Sequence, residues 1–281
     1  MLSITLLKNI SLIALLGISA HSLASDDAYL SYVSQEQYTI LNEQQKIGLA
    51  IAIQQDQVDQ GWKDSQANME MVLINGFGDE NIRSLEVKSL EIENDGDKSI
   101  TVFKTPRDAK GTVFLTYSHV TKDDDQWLYL PALNRVKRIN SRNKSGPFMG
   151  SEFSFEDLLS FEVLKFDYNY LEDQKLDGID CYVVERFPKD ENSGYTRIVS
   201  WIDKQHKRFM KSEYYDRKNS HLKSLIPSDF QLYLDKYWRA NMLSMQNHQT
   251  GKMTQLHLSD MTLDTGLTDA SFSRNSLKRA R

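Results

Sequence analysis

The 281-residue sequence has one cysteine, Cys181. That excludes a disulfide within the chain and leaves no partner for dithiol redox chemistry. Cys181 lies in the strand-like run Ile179-Asp-Cys-Tyr-Val-Val184, where a lone thiol serves as a small buried hydrophobe. There is no basic excess: 34 Lys and Arg stand against 39 Asp and Glu, a net charge of −5. A general nucleic-acid binder carries a basic footprint, so that class is set aside. Phosphate-cradling glycine loops and Gly-x-Ser-x-Gly elbows are both missing. His119, His206, His221, His248 and His257 are scattered, none at metal-ligand spacing from another. Asp123-Asp-Asp125 lacks the glycine and distal glutamate of a calcium loop and reads as a charged turn. No catalytic residue, metal or cofactor is therefore expected. Internal repeats and low-complexity linkers are also lacking, which favours one continuous domain over residues 25–281.

Beyond the N-terminus, no apolar run approaches the roughly 20 residues that cross a bilayer. The N-terminus itself reads as a secretory signal over residues 1–24. Lys8 is the only charge before Asp26, Ile10 to Ile18 is an apolar run broken only by Ser11 and Gly17, and Ser22-Leu23-Ala24 offers a cleavage site. The apolar run is too short for a comfortable transmembrane anchor. No cysteine stands near the cleavage site to carry a lipid.

What is present is mostly β pattern. Ser34 to Gln60 predicts a single helix that stops at Gly61, with Leu49 to Ile53 apolar enough to require a sheet face beneath it. From Gln66 the period changes to two and continues to about Thr262. A phase shift between Val87 and Leu90 predicts a bulge. Predicted strands after the central loop are 161–171, 181–187, 195–203, 208–215, 228–237, 239–247 and 252–262, separated by short turns such as Asp177-Gly178 and Thr250-Gly251. Such turns make the sheet mostly antiparallel. The tail from Leu267 to Arg281 reads as loosely ordered. Several strands are apolar on both faces: Trp127 and Tyr129 oppose Leu128 and Leu130, and Val199 and Trp201 oppose Ile198 and Ile202. One helix cannot cover both faces of about ten strands. The sheet must curl into a strongly curved, partly closed barrel or enclose something.

The most informative stretch is Trp127 to Leu158. Trp127-Leu-Tyr-Leu-Pro-Ala-Leu-Asn-Arg-Val-Lys-Arg-Ile139 reads as two strands around a turn at Pro131 to Asn134. Gly146-Pro147 breaks the chain, and Phe148-Met-Gly-Ser-Glu-Phe-Ser-Phe-Glu-Asp-Leu158 follows. Phe148, Met149, Phe153 and Phe155 give a loop too apolar to face water, so it either plugs the core or lines a cavity. Glu156-Asp157 suits the first turn of a short helix. Arg135, Lys137, Arg138, Arg142 and Lys144 form the densest basic stretch. It is either a charged strand edge that resists aggregation or a basic rim for an anionic head group or acidic partner.

This combined string resembles the outer-membrane lipoprotein-sorting protein family, the LolA-like carriers, from about Gly61 onward. Glu152 stands where that pattern has Asp, and Phe155 where it has Tyr. The resemblance implies a half-open antiparallel β-barrel with a helical lid over an apolar cavity. It also implies a periplasmic setting in a Gram-negative bacterium and, as a partner, an inner-membrane exporter of the resistance-nodulation-division type. Lipid or lipoprotein acyl chains are the expected ligand of a monomeric carrier. Trp127, Tyr129, Phe148, Met149, Phe153, Phe155, Met69 and Met71 are the expected cavity residues, with Arg135, Lys137, Arg138 and Arg142 as the basic rim. The helix and the loop 146–157 are expected to act as movable covers. A protein-binding module with a filled core, such as a sensor or an exporter subunit, is the competing expectation.

Overall fold

The computed structural model describes residues 28–279; the signal segment expected at 1–24 lies outside them. Thirteen antiparallel strands form one sheet: β1 Asp64–Ile74, β2 Glu80–Leu90, β3 Lys98–Phe103, β4 Val113–Tyr117, β5 Asp125–Leu130, β6 Arg135–Ile139, β7 Phe166–Leu176, β8 Ile179–Pro188, β9 Tyr195–Asp203, β10 Phe209–Asp216, β11 His221–Tyr233, β12 Tyr237–Asn247 and β13 Met253–Leu263. Their spatial order is β6-β5-β4-β3-β2-β1-β13-β12-β11-β10-β9-β8-β7. Every neighbour is the next strand in sequence except where β13 pairs with β1. The meander therefore forms one continuous curved sheet that stays open between its edge strands β6 and β7. It is a half-open barrel, as the two-faced strand pattern requires.

Residues 140–165 cross that opening. Their Phe148 and Phe153 are buried among Met71, Leu85, Phe103 and Phe114 of one wing and Ile198, Tyr214 and Met245 of the other. The apolar loop thus replaces the missing strand contacts with side-chain packing. The helical segment is broken in two, α1 Gln35–Thr39 and α2 Glu43–Val58. Asn42 causes the break. Its side chain accepts from the Gln45 N–H at 3.0 Å while the Gln45 side chain accepts from the Asn42 N–H at 2.9 Å, a reciprocal cap that starts a new helix. Leu49, Ile51, Ala52 and Ile53 of α2 pack on Tyr168, Val184 and Ile202 of β7, β8 and β9. Gly48 allows the close approach, since a Cβ there would lie 3.0 Å from the Tyr170 backbone N. Ile202 shares a face of β9 with Ile198 of the loop-bound core, so α2 lies on the concave side.

Four further expectations are corrected. The strand expected at 161–171 is β7, which begins at Phe166 after a helical turn over Val163–Lys165 and runs on to Leu176. The β1–β2 and β2–β3 registers run without a shift, and the bulge falls in β13 against β1, where Gln66 pairs with Thr262 but Asn68 with Ser259 and Asp260 takes a positive φ. The strand expected at 228–237 is instead β11, which begins at His221 and ends before a turn at Leu234-Asp235, both at positive φ. Leucine rarely occupies that region, so the turn carried no usual signal. Up to residue 279 the C-terminal tail is not loose. Phe272 and Leu277 are wholly buried against Val113, Leu115, Trp127 and Tyr129 on the outer face of the sheet. The Tyr117 hydroxyl donates to the Phe272 carbonyl at 2.5 Å.

Candidate functional site

The concave side encloses a cavity of about 1810 Å³. Small-molecule pockets run about 300–1,000 Å³. Its mouth is framed by the end of α2, by Leu90–Asp97, by the β9–β10 turn at His206–Phe209 and by Lys236–Ala240. Met69, Met71, Leu85 and Leu256 wall it, and Phe114, Phe148 and Phe153 lie at its inner end. Of the eight expected cavity residues, Met69, Met71, Phe148 and Phe153 line it. Met149 and Phe155 pack behind the lining in the same core cluster. Trp127 and Tyr129 do not belong to the cavity. In β5 they point outward, under the C-terminal segment, while Leu128 points inward. Alternation along a strand forces this split once Leu128 is committed to the core.

The loop is fastened from all sides. The Arg83 guanidinium donates to the Met149 carbonyl at 2.5 Å and the Gln126 amide to the Phe155 carbonyl at 2.7 Å. Asn247 Nδ2 donates to Glu152 at 2.7 Å. Glu156 accepts from the Ser193 hydroxyl and the Gly194 N–H, both at 2.8 Å. Asp157 caps its own turn through the Ser154 N–H at 2.7 Å and accepts from the Tyr195 hydroxyl at 2.7 Å. It also meets Lys223 Nζ at 2.6 Å in an ion pair whose side chains are 5% and 4% exposed. Lys223 gives a second bond, 2.8 Å, to the Glu152 carbonyl. The Glu156-Asp157 pair therefore holds the loop in place. Through the Glu152 N–H, which donates to the Thr254 hydroxyl at 3.0 Å, the segment is also tied to β13. Bound to β2, β5, β9, β11, β12 and β13, it is anchored as a plug, unlike the lightly held cover expected of loop 146–157.

The mouth is electrostatically uneven. Burial, reinforced by the charges of Glu162 and Glu91, pushes the Asp97 carboxyl up to about 7. Burial also raises Glu162 and Asp59 above the usual carboxylate range. Across the mouth, burial lowers the Lys207 ammonium. Lys236 Nζ donates to the Gln60 carbonyl at 2.6 Å. Arg208 stands 4.9 Å from the Trp238 ring and 4.8 Å from that of Phe230. Trp238, Arg208 and Lys236 were not read from the sequence; they come from two hairpin turns far apart in the chain.

The expected basic rim stands elsewhere. Arg135, Lys137, Arg138 and Arg142 do not line the cavity. They lie on and just after β6, the outermost strand of its wing, and are exposed. Arg138 pairs with Asp125. Position on a free edge accounts for their charge, whatever else they do. His221 and His248 are brought together, with ring centroids 4.3 Å apart and Ser224 Oγ bonded to both Nε2 atoms at 3.1 and 2.9 Å. No third ligating group joins them, and among the described residues no cluster of three metal-ligating side chains occurs. Nor is any helix among them long and apolar enough to cross a membrane.

A cupped antiparallel sheet with a helix laid on its concave side and an apolar cavity between defines the LolA class of fold. The fold matches that of a LolA superfamily protein from Nitrosomonas europaea with a TM-score of 0.66 at 20% identity, over 82% of this chain and 98% of that one. A domain from Vibrio parahaemolyticus assigned as an outer-membrane lipoprotein-sorting protein matches with a TM-score of 0.82 and 55% identity, over 83% and 99% of the two chains. A DUF1329 family protein from Desulfovibrio piger matches at 0.80 and 33% identity, over 84% and 100%. The chain belongs to the outer-membrane lipoprotein-sorting protein family. A family model described as an uncharacterized protein matches residues 95–279. No curated protein matches the chain.

Proposed function

We propose that this protein is a periplasmic carrier that holds the acyl chains of a lipid or lipoprotein in its cavity and serves envelope transport. The observation that carries the reading is the concave cavity of about 1810 Å³, with methionine, leucine and phenylalanine such as Met71, Leu256 and Phe148 on its wall and polar and charged side chains such as Glu162 and Lys236 among the rest of its lining. Its work is burial, with no bond broken. Each CH₂ moved from water into such a site gains about 0.8 kcal/mol. Methionine side chains such as Met69, Met71 and Met261 adapt to chains of different length and unsaturation. Delivery requires a partner that opens the mouth, and an exporter of the resistance-nodulation-division type is the partner proposed. Cleavage after Ala24 and a monomeric carrier belong to the same proposal.

Native mass spectrometry with lipid extraction, on mature protein purified from periplasm without detergent, tests it. A lipid or acylated peptide bound near one-to-one is the expected result. A protein that emerges empty and stays empty when challenged with lipid would instead be a binding module for other proteins.

A further inference from the structure

Opposed residues in antiparallel pairs share a face, so the strand register aligns Tyr168, Arg186, Ile198, Tyr214, Lys223 and Asn247 in one row across β7 to β12. Ile198 and Tyr214 belong to the concave core, which places the whole row on the cavity side. Two cations stand in it. Lys223 is neutralised by Asp157 and donates to the Glu152 carbonyl. Among the described residues Arg186 has neither kind of partner. Its guanidinium sits among three phenyl rings, 5.3 Å from Phe161, 4.9 Å from Phe166 and 5.2 Å from Phe209. Its Nε is buried with no acceptor. Its charge offsets part of the effect of burial on Tyr168 and Tyr214, as a cation held close to both would.

Three ring faces stabilise the cation, but they offer no in-plane acceptor to the buried Nε–H of this half-buried side chain. Native proteins rarely leave such donors unmet, and an unmet one marks the place of a missing acceptor. Phe161 and Phe209 are themselves lining residues of the cavity. The guanidinium thus lies directly behind its wall, next to the space where an acyl chain would run. A planar fork matches an oxyanion in two parallel bonds.

Building on the carrier reading above, we propose that Arg186 is the recognition site for an oxyanion attached to the acyl cargo, either a fatty-acid carboxylate or a phospholipid phosphate. The ligand of this cavity is then an anionic amphiphile and not a neutral one.

The test compares ligands that differ only in the acid group. Palmitate is set against hexadecanol, and phosphatidylglycerol against diacylglycerol of the same chains, each displacing a neutral fluorescent probe from wild type, Arg186→Met, Arg186→Gln and Arg186→Lys. Thermal unfolding of each variant identifies those that fold, and the Gln variant supplies the comparison should Met not fold. Wild type is expected to prefer the anionic member of at least one pair by about tenfold to a hundredfold, the worth of charge-assisted hydrogen bonds. In Arg186→Met and Arg186→Gln that ratio falls toward one, and in Arg186→Lys it is intermediate. Loss confined to the palmitate pair assigns a carboxylate, and loss confined to the phosphatidylglycerol pair a phosphate. Wild type without a preference, or neutral variants that keep it, overturns the role of Arg186 while leaving the carrier intact. Failure of wild type to bind any of the four overturns the carrier reading itself.

Discussion

Asp157 and Lys223 show how much one residue pair carries here. Both side chains are almost entirely buried, and Asp157 also satisfies Tyr195 and the backbone of Ser154. Removing one partner of a buried ion pair strands the other charge, a loss of about 3–5 kcal/mol. Asp157→Asn is therefore expected to lower the urea-unfolding free energy by that amount. The double change Asp157→Leu with Lys223→Met should recover a good part of it, because no buried charge remains. A double variant as unstable as the single one would show that the network's geometry matters more than its charge. Asp97 offers a second test. Burial raises its folded-state carboxyl from 3.8 to about 7, so the folded protein holds this proton more tightly than the unfolded chain. The stability this group contributes is full below its unfolded value and is lost as pH rises through about 7. Asparagine keeps the acceptor that the Ile92 N–H uses at 3.3 Å and cannot ionise. Asp97→Asn is thus expected to raise Tm over wild type at about pH 8 and to match it at about pH 4. An equal Tm difference at both values would remove burial of the carboxylate as the cause.

Among the elements, the loop 140–165 and helix α2 play opposite parts. The loop is bound by side chains from six strands, whereas α2 meets β7 to β9 mainly through apolar contacts and the close approach at Gly48. If one element moves to admit cargo, α2 is the one with fewer polar ties. A methyl group at Gly48 would press on the backbone at Asn169 and Tyr170, 3.0 to 3.1 Å away. Overpacking of this kind costs about 1–3 kcal/mol. Gly48→Ala is expected to lose that much stability and to speed exchange of a bound fluorescent fatty acid, measured by stopped flow. Slower or unchanged exchange would show that α2 is not the gate. The strand pattern was legible in the sequence because period-two alternation survives wherever one face is committed to the core. The Phe148 to Phe155 loop was legible for a like reason, since aromatics at that density must be buried. The choice between plug and lid was not, because it depends on Arg83, Asn247 and Lys223, which lie far away in the chain. Trp127 and Tyr129 were misplaced because both faces of β5 are apolar, and only the buried tail at Phe272 and Leu277 shows which face is outside. The row that joins Arg186 to Lys223 depends on registers across six strands, which alternation alone does not fix.

At the scale of the whole molecule, binding and surface charge are separated. The cavity mouth lies beside the C-terminal end of α2, whereas Arg135, Lys137 and Arg142 stand exposed on the free edge of the sheet, off the cavity. Within a chain of net charge −5, this is a local cationic strip along one edge. An edge strand needs some charge to avoid pairing with other chains. A strip of cations with no ion-pair partner among the described residues also suits an anionic membrane surface, where each contributes about 1 kcal/mol. Arg135→Gln with Lys137→Gln is therefore expected to weaken association with phosphatidylglycerol-rich vesicles about thirtyfold at low salt, since two such contributions are lost. The effect should shrink as ionic strength rises, because both groups are exposed. Uptake of palmitate should stay within about twofold of wild type, since neither residue touches the cavity and screened charges at that remove act weakly on it. Vesicle co-sedimentation across a salt series and a palmitate titration on the same protein measure both. Equal loss of both would place the strip in the path of the cargo. Loss of neither would leave the charges with the single task of guarding the edge of β6.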